Sequence, residues 1–380
     1  MSELPRVHIL TPSLVPYDAI GNDVAQMRDA LRQSGYLVDA FAEGIHTSCA
    51  TLAEPLNTAP EEYWLSPDDI LLYHHSTGWP LGEAVLFRSQ NKIILRYHNI
   101  TPAAFFEPYS VPHAQACQVG VESTKRIAKL RGMTILGDST FNCEDLIARG
   151  AESGDCQVLA PFHLTEDLGR EPFDIPTVQQ YSGDVVNILF VGGIKPNKGH
   201  ARAIRVFAEY HHRFNARSRL VFVGGIDDRL QGYISHLRQL ATDLNVASGV
   251  IFTGSVTGSQ IKSLYVAADV FLCTSEHEGF CVPLVEAMYF RVPIVAWGVT
   301  AVPETLGGCG FVLEEWDEFL FAKHIAALVD APDLAEHFGD LGRSRYRATF
   351  HPAVLKQKLS ELIAEVGRPR TGRNAMGAFG

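Results

Sequence analysis

A chain of 380 residues outgrows a single ordinary hydrophobic core and calls for about two domains of roughly 150–200 residues. Its 46% hydrophobic and 20% charged residues exclude a disordered chain, and a formal charge of −11 argues against nucleic acid as a partner. No run approaches the ~20 apolar residues that cross a bilayer, Met1–Arg6 carries no apolar signal block, and seven cysteines without a Cys-x-x-Cys pair suit reduced thiols in a cytoplasm.

In chain order, Arg6–Thr11 predicts a first strand, then a turn-rich loop from Pro12 to Asn22 and a helix from about Asp23 to Gln33. Gly35 stops that helix and Tyr36–Phe41 begins a second strand. This β–loop–α–β opening is typical of nucleotide- and sugar-binding α/β domains, although no Gly-x-Gly-x-x-Gly is present. Further strands are expected at Ile70–Tyr73 and Lys92–Tyr97. The second ends at His98, where a polar side chain would face the ligand crevice of a parallel sheet, and His74 and His75 end the first in the same way. Gly132–Gly137 predicts another strand, with Asp138 or Ser139 capping the helix after it. Lys125, Arg126, Lys129 and Arg131 form a basic run, either a solvated face or a contact for anionic lipid head groups.

From 166 to 184 the chain is rich in Pro, Glu, Asp and Gln without periodicity, and this is the expected linker between a domain at 1–165 and one at 185–350. Val185–Val191 is an apolar strand. Gly192-Gly193-Ile194-Lys195-Pro196-Asn197-Lys198-Gly199 then opens a helix to about Phe214, a glycine-bearing loop whose lysines suit phosphate. No Gly-Lys-Ser/Thr follows, which disfavours ATP hydrolysis. Strands at Leu220–Gly225 and Val250–Gly254 alternate with helices at Leu230–Leu244 and Ser259–Ala267. The next strand, Ala268–Cys273, runs into Ser275-Glu276-His277-Glu278-Gly279-Phe280-Cys281-Val282-Pro283-Leu284-Val285-Glu286-Ala287-Met288. Apolar spacing after Pro283 is helical, so the stretch reads strand, turn, helix, with Glu278 in the turn and Glu286 in the helix. The N–H groups near Gly279, Phe280 and Cys281 would point out of the helix start, toward phosphate or hydroxyl oxygens. A strand at Pro293–Trp297 follows. Three helices close the chain, two starting at Pro332 and Pro352, with residues 351–380 forming the last helix and tail.

Glu278-Gly-Phe-x-x-Pro-x-x-Glu286-Ala-Met resembles the E-x7-E motif of retaining GT-B glycosyltransferases of family four, the glycosyl transferases group 1. The resemblance implies an α/β GT-B fold: two Rossmann-like domains whose parallel sheets face each other across a cleft, with the last helix packing back on the N-terminal domain. It implies that Glu278 holds hydroxyls of the donor sugar, Glu286 the nucleotide ribose, and His98 the sugar from across the cleft. Gly21 falls where the family carries glycines beside the donor diphosphate, and Gly254 where the base is seated. The Gly192–Gly199 loop is similar to the family's Val-Gly-Arg-Leu-x-Pro-x-Lys-Gly. Lys198 matches its Lys, but Gly193 stands at the usual Arg, which removes a bidentate phosphate contact. Either Lys195 replaces that Arg, or the leaving group is stabilised less, or activity is lost.

The resemblance implies transfer of a hexose from a UDP- or GDP-sugar to a saccharide hydroxyl, giving an α-glycoside. The family's commonest acceptors are polyprenyl-diphosphate-linked, in bacterial surface-polysaccharide synthesis at the inner face of the membrane. His98, Lys198 and Glu278 are the expected catalytic residues, with no cofactor. No Asp-x-Asp spacing occurs, so no metal requirement is expected. A nucleotide-sugar epimerase of the same fold, or an inactive sugar-nucleotide-binding subunit, are the competing readings.

Overall fold

The computed structural model describes residues 4–16 and 18–368; Met1–Glu3 and the expected tail at 369–380 lie outside them. In chain order the first half consists of β1 (Val7–Leu14), α1 (Ala19–Gln33), β2 (Val38–Ile45), β3 (Glu54–Pro55), β4 (Ile70–His75), α2 (Pro80–Arg88), β5 (Lys92–Tyr97), α3 (Val111–Ile127), β6 (Thr134–Gly137), α4 (Thr140–Ala148) and β7 (Cys156–Val158). The strands form one sheet in the order β3-β2-β1-β4-β5-β6-β7, and every pairing is parallel. The second half follows through α5 (Thr165–Arg170), α6 (Ile175–Tyr181), β8 (Val186–Val191), α7 (His200–Arg213), β9 (Ser218–Val223), α8 (Gln231–Asp243), β10 (Val250–Phe252), α9 (Gly258–Ala267), β11 (Val270–Cys273), α10 (Val282–Phe290), β12 (Ile294–Trp297), α11 (Val302–Leu306), β13 (Phe311–Leu313), α12 (Glu318–Asp330), α13 (Pro332–Arg345) and α14 (Pro352–Gly367). Its sheet is also parallel, in the order β10-β9-β8-β11-β12-β13. These are two Rossmann-like domains of a GT-B fold.

Strand order reverses between β1 and β4 in the first sheet and between β8 and β11 in the second. Ligand crevices open beyond the carboxyl ends of strands at such points, because the flanking loops there diverge to opposite faces. The loops after β8 and β11 carry Lys195, Lys198 and Glu278. Gly199 is needed where they meet. It caps α7 with φ 71°, and a Cβ there would lie 1.9 Å from the Thr274 carbonyl oxygen.

Two expectations give way. The loop from Pro12 to Asn22 shrinks to a few residues, because Ser13 and Leu14 go on pairing with Gly44 and Ile45 of β2, and Asp18 caps α1 early by accepting from the Gly21 N–H at 2.9 Å. The stretch 166–184 is not featureless either. Asp174 accepts from the Thr177 N–H at 3.0 Å and starts α6, with Pro176 in its first turn.

Packing runs between the domains in both directions. Leu355, Leu359, Leu362 and Ile363 of α14 are buried with Val7, Ile9 and Leu31 of the N-terminal domain. In the other direction, Phe106 and Ala114 join the core of the C-terminal domain, and Tyr109 packs edge-on against Tyr233 at 4.9 Å. Among the described residues, no helix is long and apolar enough to cross a membrane.

Candidate active site

Glu278 is almost enclosed, 6% exposed, and its carboxylate receives three bonds. Lys198 Nζ donates to both oxygens, at 2.8 and 2.7 Å, and Ser275 Oγ donates to Oε1 at 2.7 Å. The Glu278 N–H donates to Thr300 Oγ1 at 3.0 Å, which fixes the turn. Burial pushes the Lys198 ammonium down, but the Glu278 charge outweighs it and the net shift is upward. The two loops are also stitched by Asn197, whose carbonyl accepts from the Glu276 and His277 N–H groups at 2.8 and 3.2 Å. Lys195 reaches into the same cleft. The surrounding protein and then the neighbouring Lys198 hold its ammonium below the ordinary lysine range. Its Cε lies 3.8 Å from where a Cβ on Gly193 would be, an ordinary van der Waals distance that makes Lys195 a direct neighbour of position 193.

The entrance of α10 follows directly. Cys281 precedes the helix with φ 80°, and among the described residues the Gly279, Phe280 and Cys281 N–H groups have no backbone acceptor. Phe280 itself is buried, its carbonyl held by Thr305 Oγ1 at 2.7 Å. Cys281 Sγ stands 4.0 Å from Cys273 Sγ beneath the turn. One turn into α10, Glu286 Oε2 accepts from the Tyr265 hydroxyl at 2.6 Å, and burial raises the Glu286 carboxyl above the ordinary range.

Across the cleft, His98 is clamped. Its Nδ1 lies 3.0 Å from Asp138 Oδ2, so Nδ1 carries the proton and donates, while Nε2 lies 2.9 Å from His74 Nδ1. Arg96 supports both ends of this chain, pairing with Asp23 and Asp138 at 2.9 Å each, and Asp23 also accepts from the Phe162 N–H. With both ring nitrogens engaged, His98 offers the cleft its ring and its backbone rather than a free imidazole nitrogen. Asp23, His74 and His98 present atoms within 4.8 Å of one another, a group that could hold a metal ion. The Asp23 oxygen concerned already accepts from Arg96, however, and a guanidinium at that distance opposes a second cation.

One cavity of about 410 Å³ gathers His98, Lys195, Lys198, Glu278 and Gly279, together with Asn197, His277, Thr101 and His113, which sequence reasoning did not single out. Gly21, Gly193, Gly254, Phe280, Cys281 and Glu286 are not part of its wall. Gly21 lies inside the first turn of α1 with its N–H already given to Asp18, so its backbone is not open to a phosphate in the way expected. Gly254 follows the edge strand β10, where its carbonyl accepts from the Gly224 N–H. Of the two capping candidates, Ser139 caps α4, its Oγ accepting from the Asn142 N–H, and it also donates to the Gly279 carbonyl at 2.7 Å across the domains. Asp138 serves His98 instead.

Residues 177–345 match the family described as Glycosyl transferases group 1. A D-inositol 3-phosphate glycosyltransferase from Acidothermus cellulolyticus is 34% identical over 150 residues, 38% of this chain and 33% of that protein. O-antigen chain mannosyltransferase B from Escherichia coli is 29% identical over 196 residues, 50% of each chain. The chain thus spans between a third and a half of the length of these relatives. Sucrose-phosphate synthase from Thermosynechococcus elongatus superposes with a TM-score of 0.74 at 17% identity, covering 95% of this chain and 99% of that one. Anabaena HepE, solved with UDP and glucose, gives 0.71 at 18% identity, covering 95% and 100%. Over residues 177–345 the chain is thus similar to the glycosyl transferases of group 1, and over nearly its whole length it shares the GT-B architecture.

Proposed function

We propose that the protein transfers a hexose from a UDP- or GDP-sugar to a saccharide hydroxyl, with retention, forming an α-glycoside in cytoplasmic polysaccharide synthesis. The observation that carries this reading is the Lys198–Glu278 pair, set beside Lys195 at the reversal point of the second sheet and facing His98. Two ammonium groups and one carboxylate leave the pocket net positive, ready for a diphosphate. On binding, the pair exchanges partners: Lys198 turns to the phosphate and Glu278 accepts from sugar hydroxyls. Lys195 does the work of the missing Arg. As the glycosidic C–O bond to the diphosphate breaks, the two lysines and the N–H groups of 279–281 stabilise charge on the departing oxygen. The acceptor hydroxyl enters on the same face, and its proton leaves with that phosphate oxygen. Glu286 accepts from the ribose.

Either nucleotide fits this chemistry. HepE is solved with UDP-glucose, and a Mycobacterium tuberculosis relative, 27% identical over 190 residues, is described as GDP-mannose-dependent. The basic run lends little to a membrane contact, because Lys125, Arg126 and Arg131 pair with Glu122, Glu83 and Glu152. The acceptor is therefore taken as a saccharide reached from solution. Incubation with UDP-glucose and GDP-mannose in chelator tests the reading. Nucleotide release from one of them, quickened by saccharide acceptors and giving the α-anomer, is expected without metal. An isomerised donor would make the protein an epimerase, binding without release an inactive subunit, and a β-linked product would refute retention.

A further inference from the structure

Glu286 is a carboxylate held in an unusual way. Among the described residues no Lys, Arg or His pairs with it, and one neutral hydroxyl is its partner. The partner, Tyr265, is wholly buried on α9, and its ring is stacked between Phe271 and Phe290 at 6.1 and 5.2 Å. The hydroxyl therefore has a fixed position. It gives its proton to Oε2 at 2.6 Å, and the Pro283 carbonyl lies 3.4 Å away on the helix that carries Glu286. The other oxygen, Oε1, has no protein donor among the described residues, and Glu286 as a whole is only half-buried.

The geometry points to Tyr265 as the positioning residue that presents Glu286 Oε1 to the 2′,3′-diol of the donor nucleoside and so sets ribose selectivity. Tyr265 touches no ligand. It occupies one carboxylate oxygen and stops the side chain from rotating, so that the other oxygen is aimed before the nucleotide arrives. A diol supplies two O–H donors to one carboxylate, whereas a deoxy sugar leaves an acceptor empty. Removing the hydroxyl keeps the stacked ring but frees the carboxylate to turn. The loss should then appear in the discrimination between ribose and deoxyribose rather than in phosphate binding.

This assignment rests on the proposed nucleotide-sugar site, and the test separates the two. Calorimetric titration would compare UDP and GDP, each against its 2′-deoxy and 3′-deoxy forms, on the wild-type chain, Tyr265→Phe and Glu286→Asp. The ratio of two affinities on one sample does not depend on how much of it is folded. The wild type should prefer a ribonucleotide by about tenfold or more over a deoxy form. Tyr265→Phe should bring that ratio to within about twofold of unity, as should Glu286→Asp, which draws the carboxylate away from the hydroxyl. An undiminished preference in Tyr265→Phe overturns the role of Tyr265 and leaves Glu286 on the ribose. Equal binding of ribo and deoxy forms by the wild type overturns both.

Discussion

Lys198 neutralises Glu278 in the empty cleft, and in the proposed mechanism it turns to a diphosphate when the cleft is full. Lys198→Met should therefore damage the protein twice. It leaves Glu278, 6% exposed, with Ser275 as its remaining donor, costing about 1–3 kcal/mol of stability, and it removes a cation from the leaving group, slowing turnover by about a hundredfold. Urea midpoints and nucleotide release separate the two effects. In Lys198→Met with Glu278→Gln the stability should recover, because the stranded charge is gone, while activity should not. Lys195→Ala should raise the donor KM, because it removes one of the two ammonium groups in the pocket. Adding Gly193→Arg, which has room at ordinary van der Waals distance from its neighbours, should recover part of that loss. The pairing of Glu278 with Lys198 was not legible in the sequence, because residues 80 positions apart meet only through the β8–β11 pairing. That each stands in a glycine-bearing turn between a strand and a helix was legible, since glycine and Pro283 punctuate those turns locally. His98 shows the converse. Its strand-end place was readable, but its capture by Asp138 and His74 depends on three strands lying side by side.

At the scale of elements, α14 is the piece whose placement depends most on long-range packing. Leu359 is fully buried between it and the N-terminal sheet, so Leu359→Ala should cost about 2–5 kcal/mol, read as a lowered denaturant midpoint. The loss should come with little change in donor affinity, because the loops proposed to hold the donor lie on the other sheet. The alternation of strands and helices after residue 185 was readable from apolar runs and glycine stops, since buried parallel strands leave continuous hydrophobic segments. The short strands β3, β7 and β13 were missed, because two or three residues carry no periodicity. The helix α6 was missed although Asp174 and Pro176 mark its start, because the Pro- and Glu-rich surroundings dominate the composition. The seat of Phe106 and Tyr109 in the opposite domain left no local trace.

For the molecule as a whole, buried imidazoles predict how stability responds to acid. Burial, first of all, lowers His75 and His163 to about 4 and His200 to about 3. Unfolded, each titrates near 6.5. Between those values the unfolded chain binds protons that the folded one refuses, so their stabilisation is complete above about pH 6.5 and is lost as pH falls toward about 4. The melting temperature should drop steadily across that window. His200→Phe, placed among Phe190, Phe222 and Tyr233, should make the slope shallower; an unaltered slope would mean that His200 keeps its proton in the fold. The two-domain plan follows from length and repeated strand–helix alternation, whereas the facing of the two reversal points follows from packing that composition does not encode. The most direct measurement of the whole account is a crystal structure with a UDP- or GDP-sugar bound in chelator. The pyrophosphate should lie within hydrogen-bond reach of Lys198, Lys195 and the N–H groups of Gly279–Cys281, with the sugar hydroxyls on Glu278. A nucleotide sugar seated away from the β8 and β11 loops, with the Lys198–Glu278 pair still closed, would contradict it.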